Sequence, residues 1–178
     1  SILCFFLTHV QGTNHAVLVA GSHGYGNYRH HADICHAYHI LAENNVPKEN
    51  IIVMLYDDVA NDPMNPFPGT LFNAPSTKTT PGVDVYHDCQ KDYTGNNVTA
   101  EHFYAVLTGN KSGVPKGMKV LNSTENDRVF LNFADHGGTG ILAMPAGDFI
   151  YQPDLLNTLK KMHAKKMYKE LVFYVEAC

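Results

Sequence analysis

The apolar residues of this chain fall mainly in short unbroken runs rather than in strict alternation. Residues 15–20 read His-Ala-Val-Leu-Val-Ala and end in Gly21-Ser22. A strand that is apolar on both faces is covered by a layer on each side, as the strands of a parallel sheet are. Residues 51–56, 129–134 and 171–175 predict strands of the same kind. Between these runs the period lengthens. Ala32, Cys35, Ala37, Tyr38, Leu41 and Ala42 line one face of a helix expected over 30–45, which Asn44, Asn45 and Pro47 stop. A shorter helix is expected over 99–109, with Thr99 as N-cap, Glu101 in the first turn and Gly109 at its end. A third is expected over 153–166, where Leu155, Leu156, Leu159, Met162 and His163 share a face. Residues 141–144 and 149–151 predict small edge strands.

Residues 57–98 are rich in Pro, Gly, Asn and Asp and carry no period, and 111–126 read as a second loop. A loop as long as the first is usually functional in a compact domain. The alternation of strands and helices predicts an α/β sandwich with a mainly parallel sheet. Such sheets gather their functional groups at the carboxyl ends of the strands. That rule points to the residues after Ala20, Ala134 and Val175.

The 178 residues suit one domain, and neither a repeat nor an interdomain linker interrupts them. The net charge of -4 and the scatter of 13 Lys and Arg give no basic stripe, which argues against a nucleic-acid partner. No run reaches the ~18 apolar residues of a membrane span. Residues 1–12 hold a short apolar run and small residues near its end, as a secretory leader does, although a basic start is missing. We therefore expect 1–12 to be a leader remnant and 13–178 the domain proper. Sequons at Asn97, Asn110 and Asn122 fit a secretory route. Of four cysteines, Cys4 would leave with the leader, and the odd number remaining predicts at least one free thiol. No spacing suggests a metal site, and no cofactor is expected.

Two strand ends carry reactive side chains. The third main strand delivers His136 and the fourth delivers Cys178. Neighbouring parallel strands lie ~5 Å apart, so both side chains can face one cleft. A thiol beside an imidazole is a nucleophile with its own acid–base partner. Gly137 adds an unobstructed backbone N–H of the kind an oxyanion hole needs. The architecture alone also admits a phosphatase or a redox enzyme, and a Cys after a strand is often plain core.

The wider pattern narrows this. Val-Ala-Gly-Ser at 19–22, Asn-Tyr-Arg-His at 27–30, Ala-Asp-Ile-Cys-His-Ala-Tyr at 32–38 and Met-Leu-Tyr-Asp-Asp at 54–58 come first. Asn-Pro-Phe-Pro-Gly at 65–69, Lys-Asp-Tyr-Thr-Gly at 91–95, Asp-His-Gly-Gly-Thr-Gly at 135–140 and Tyr-Val-Glu-Ala-Cys at 174–178 follow. In this order and spacing the blocks resemble the legumain family of asparaginyl endopeptidases, from about His15 onward. The resemblance implies a caspase-like α/β/α sandwich with a six-stranded sheet, incomplete here on the C-terminal side. It implies Cys178 as nucleophile, His136 as general acid–base and Asn27 as the residue that orients it. Gly137 and Cys178 would supply the oxyanion N–H groups. Arg29 and Glu176 would wall the pocket for a substrate Asn, with His30 at its flank. A carboxamide offers one acceptor and two donors, which Arg29 and Glu176 could match. At acid pH a protonated Asp would imitate Asn. Protein substrates and cystatin-type inhibitors are the implied partners, and the lysosome, vacuole or exterior the implied location.

Plainer readings stand beside these. Arg29 and Glu176 could pair with each other, Asn27 could cap a helix, and His30 could be an ordinary first-turn residue. The family position of Asp135 is linked to succinimide formation and ligation, but a turn carboxylate is the simpler account. Cys35 is expected in the core, and for Cys89, which matches no family cysteine, the sequence leaves open whether it is free or paired. The catalytic subunit of GPI transamidase is the nearest rival, but its pattern places Gly before the histidine and Asp-Thr before the cysteine. A catalytically dead binding module is a second rival. Because the family continues beyond its nucleophile, the 178 residues alone are expected to be inactive.

Overall fold

The computed structural model describes residues 12–178. The expected leader and Cys4 lie outside the described residues, except for Gly12. In chain order the regular elements are β1 (Asn14–Ala20), α1 (Tyr28–Glu43), β2 (Ile51–Met54), α2 (Ala100–Leu107), β3 (Arg128–Ala134), β4 (Gly137–Gly138), β5 (Ile141–Leu142), β6 (Ile150–Tyr151), α3 (Gln152–Ala164) and β7 (Glu170–Glu176). The main sheet runs β2-β1-β3-β7, and every neighbouring pair in it is parallel.

The unbroken apolar runs of β1 and β2, and most of β3, are buried because both faces of the sheet are covered there. Ala16, Leu18 and Ala20 face a cluster with Ile34, Cys35 and Tyr38 of α1. Val17 and Val19 face the opposite way, onto Phe103, Val106 and Leu107 of α2 and Met162 of α3. Each such fully buried aliphatic side chain contributes about 1.5–3 kcal/mol. The α/β/α sandwich is thus the one expected. Its sheet holds four of the six strands implied by the resemblance, and β7 is an edge, with Val172, Tyr174 and Val175 exposed.

Helix and strand limits differ from expectation where local chemistry intervenes. β2 ends at Met54 rather than at residue 56 because Leu55 donates to the Tyr93 carbonyl at 3.1 Å, handing the ladder to the end of the long loop. Residues 141–144 and 149–151 do not edge the main sheet. Parts of them pair with Gly137–Gly138 as a separate antiparallel sheet, β4-β5-β6. Gly140 makes this possible with a φ of +75°. Thr99 caps α2 as expected, accepting from the His102 N–H at 3.2 Å. Asn110 and Asn122 are exposed and Asn97 is half-buried. Among the described residues, no helix is long and apolar enough to cross a membrane.

The structure pairs the cysteine that the sequence left open. Cys89 is bonded to Cys35, whose side chain is buried in α1. Sequence order could not reveal this pairing, because 54 residues separate the two positions. The long loop folds back over α1 and brings them together. Cys178 is a free, exposed thiol. A cross-link over a loop of this length stabilises the fold by about 4 kcal/mol through the chain entropy it removes. Replacing Cys35 and Cys89 together by Ala should lower the unfolding midpoint by roughly 10 °C. Differential scanning calorimetry checks this, and an unchanged midpoint would count against the bond.

Candidate active site

The β3–β7 register sets the geometry of the strand ends. Ala134 stands opposite Glu176, and Phe133 opposite Val175. The ladder continues past the strands, since the Asp135 N–H donates to the Glu176 carbonyl at 2.9 Å. Continuing the same register sets His136 opposite Cys178. Both side chains are exposed at this end of the sheet. Gly137 lies against the end of β7. A Cβ on it would meet the Ala177 Cβ at 3.0 Å and the Cys178 carbonyl at 3.2 Å, so only glycine lets the two segments approach this closely.

His136 is held from the side of β1. The Asn27 Oδ1 lies 2.7 Å from the His136 Nε2. Asn27 occupies the N-cap position of α1, yet its side chain makes no capping bond. A capping Asn contributes about 1 kcal/mol, so the position forgoes that to reach the histidine. The other end of the amide donates through Nδ2 to the His23 carbonyl at 2.8 Å. A carbonyl only accepts, which fixes which amide atom faces His136. The His136 Nε2 therefore carries a hydrogen and donates it to the Asn27 Oδ1.

A buried polar cluster backs this histidine. The rings of His30 and His136 meet edge to face, with centroids 5.1 Å apart. His30 has no exposed surface, and its Nδ1 lies 2.6 Å from the Ser22 Oγ and 3.3 Å from the Asp135 Oδ1. Burial above all, helped by the charges of Arg29, His136 and His31, lowers the His30 pKa to about 4. The contact with Asp135 is therefore that of a neutral imidazole and not an ion pair. Burial pushes the Asp135 carboxyl up, against the pull of the His136 backbone N–H, the His136 charge and the Ser22 hydroxyl.

The structure separates the expected pocket residues. Arg29 and Glu176 are both exposed. No ion pair joins them among the described residues, so the pairing that would have made them ordinary surface residues is absent. They share a neighbour that sequence reasoning missed. Asp33, one turn beyond Arg29 on α1, is raised in pKa by burial and then by Glu176, while Arg29 lowers it. The i, i+4 spacing from Arg29 was the available signal. His30, expected at the flank of the pocket, is instead enclosed behind His136.

His30, Asp135 and His136 offer ligand atoms within 4.8 Å of one another, close enough for one metal ion. Ser22 and Asn27 already engage a nitrogen of each histidine, so we read the cluster as the support of His136. A cleft of about 590 Å³ lies elsewhere, between α1 and the long loop that follows β2, lined by His36, His39, Ile40 and Val83. It holds none of the groups gathered at the strand ends. The location of reactive side chains is therefore the better guide to the site than cavity size.

Comparison with known proteins gives a consistent picture. The model of the Peptidase C13 family matches residues 14–178. The vacuolar-processing enzyme beta-isozyme of Arabidopsis thaliana is 56% identical over 168 residues, which cover 94% of this chain and 34% of that protein. Legumain of Canavalia ensiformis is 54% identical over 168 residues, again 94% of this chain and 34% of the relative. A vacuolar-processing enzyme of Ricinus communis is 53% identical, with 94% and 33% covered. The chain spans about a third of the length of the curated relatives it matches.

The Asn27–His136 bond generates a chemical prediction. A hydrogen bond to a charged group stabilises it by about 1.5–3 kcal/mol, and exposure favours the low end. Asn27→Ala should slow alkylation of Cys178 by iodoacetamide near pH 6 about tenfold. An unchanged rate would show that Asn27 does not tune the pair.

Proposed function

The chain belongs to the peptidase C13 family, and we propose on that basis that it carries the catalytic pair of a cysteine endopeptidase that cuts after asparagine. The observation that supports this best is the parallel register of β3 and β7, which sets His136 opposite Cys178 while Asn27 holds the Nε2 of the histidine.

The chemistry follows from those positions. His136 takes the thiol proton at Nδ1, and the Cys178 thiolate attacks the scissile carbonyl. The oxyanion develops against the backbone N–H groups of Gly137 and Cys178. His136, now an imidazolium steadied by Asn27, returns its proton to the leaving amine. Water, deprotonated by the same imidazole, then opens the thioester and restores the thiol.

Arg29 donates to the oxygen of the substrate carboxamide, and Glu176 accepts from its nitrogen. Asp33 orients Arg29 from one helical turn away. A site of paired donors and acceptors rejects side chains that leave one of them unmatched, by roughly 10⁴. Aspartate fits only when protonated, because its carboxylate would face Glu176. The disulfide between Cys35 and Cys89 supports an oxidising route through the secretory pathway. Two of the relatives above are named for vacuolar processing, which supports a vacuolar or lysosomal destination.

The test uses protein made from the complete coding sequence and an Ala-Ala-Asn reporter. Cys178→Ser should remove at least roughly 10³-fold of kcat/KM. Retained turnover in that variant would refute the nucleophile. An Asp reporter should be cut faster as the pH falls from 6 to 4, because the free carboxyl titrates near pH ~4 and only its neutral form fits. A rate that does not rise over this window would refute the pocket assignment.

A further inference from the structure

We propose that Ser22 is a positioning residue for His136: its hydroxyl holds the buried His30, whose ring stands against the back of the His136 imidazole. The proposal rests on the reading of His136 as the acid–base.

Backbone geometry places Ser22 there. The Gly21 N–H donates to the Ala134 carbonyl at 3.2 Å, so the β1–β3 ladder runs to the residue before Ser22. A Cβ at Gly21 would stand 2.5 Å from the Asp135 Oδ2 and 2.7 Å from the Ala143 carbonyl. The carboxylate thus fills the space a side chain at Gly21 would take.

Proton accounting then selects one arrangement. Three atoms of the cluster have no hydrogen-bond partner: the His30 Nε2 and both carboxylate oxygens of Asp135. A serine hydroxyl donates once and can also accept. If the His30 Nδ1–H donates to the Ser22 Oγ, the one hydrogen of the neutral ring has a partner. The His30 Nε2 is then left as an unused acceptor. The other tautomer would bury an N–H without a partner, which costs more. The Nδ1–H tautomer, held by Ser22, is the arrangement that strands no ring donor.

His136 gains on two sides. The His30 edge, held by Ser22, packs against its ring at 82°. The Asp135 carboxylate, 3.3 Å from the His30 Nδ1, is the neighbouring residue and a charge of the sign that favours imidazolium. Arg29 and His31 are the other charged or titratable groups of α1 that bear on His30. The His31 Nε2 lies 3.3 Å from the Ser22 carbonyl and steadies the turn.

Ser22 is 6% exposed, so it acts through His136 and not on substrate. In protein from the complete coding sequence, Ser22→Ala should lower kcat for the Asn reporter about fivefold with KM within twofold. Ser22→Thr, which keeps the hydroxyl, should recover most of the loss. Imidazole ¹⁵N spectra should show His30 protonated at Nδ1 in the parent, with that resonance moving in Ser22→Ala as its 2.6 Å partner is lost. Full kcat in Ser22→Ala, or a His30 protonated at Nε2 in the parent, would overturn the proposal. If the parent itself does not cut the reporter, the proposed function fails, and the His30 spectra still decide the role of Ser22.

Discussion

The parallel pairing of β3 with β7 is the constraint from which the rest of the site follows. It sets Ala134 opposite Glu176, and one further ladder bond, from the Asp135 N–H to the Glu176 carbonyl, carries the register into the loops. A shift of one residue would send every side chain of β7 to the other face of the sheet. Phe173 would leave the core and Cys178 would lose its place opposite His136. Packing of Leu171 and Phe173 against the α2–α3 side therefore specifies the chemistry indirectly. The site is accurate because the hydrophobic core is.

The second organising feature is the amount of polar surface buried behind one exposed histidine. Ser22 and Asp135 lie just past the ends of β1 and β3, His30 and His31 lie in the first turn of α1, and all four are buried. Ser22 contacts both histidines, through its hydroxyl and its carbonyl. The N-terminus of α1 shows the same priority. Asn27 occupies the capping position and spends its amide on His136 and the His23 carbonyl instead. Local helix stability is given up where orientation of the imidazole is at stake.

Much of this was legible in the sequence, and for a physical reason. Buried parallel strands must be apolar on both faces, so β1 and β3 announce themselves without alternation. The Asn27–His136 contact was available only through resemblance, because no local rule links positions 109 apart. The expected edge strands became a separate hairpin-like sheet since Gly140 takes a left-handed turn that a pattern of apolar residues does not encode. Asp33 escaped notice as one charge among several on a helix. Ser22 escaped because a serine after a strand looks like a turn residue until His30 and Asp135 are seen around it.

The two thiol chemistries of the chain also depend on burial. Cys35 and Cys89 are 0% and 5% exposed, whereas Cys178 stands at the open end of the sheet. Exchange requires a thiolate to reach a sulfur along its own axis, so access governs which of these atoms reacts. A reductant strong enough to keep Cys178 as a thiol meets that atom first and finds the bonded pair enclosed between α1 and the long loop. The same molecule can hold one cysteine reduced and two oxidised without any difference in their intrinsic chemistry. Position in the fold makes the difference: α1 presents Asn27 and His30 to His136 at its N-terminal end, and Cys35 two turns on fastens that helix to the loop that covers it.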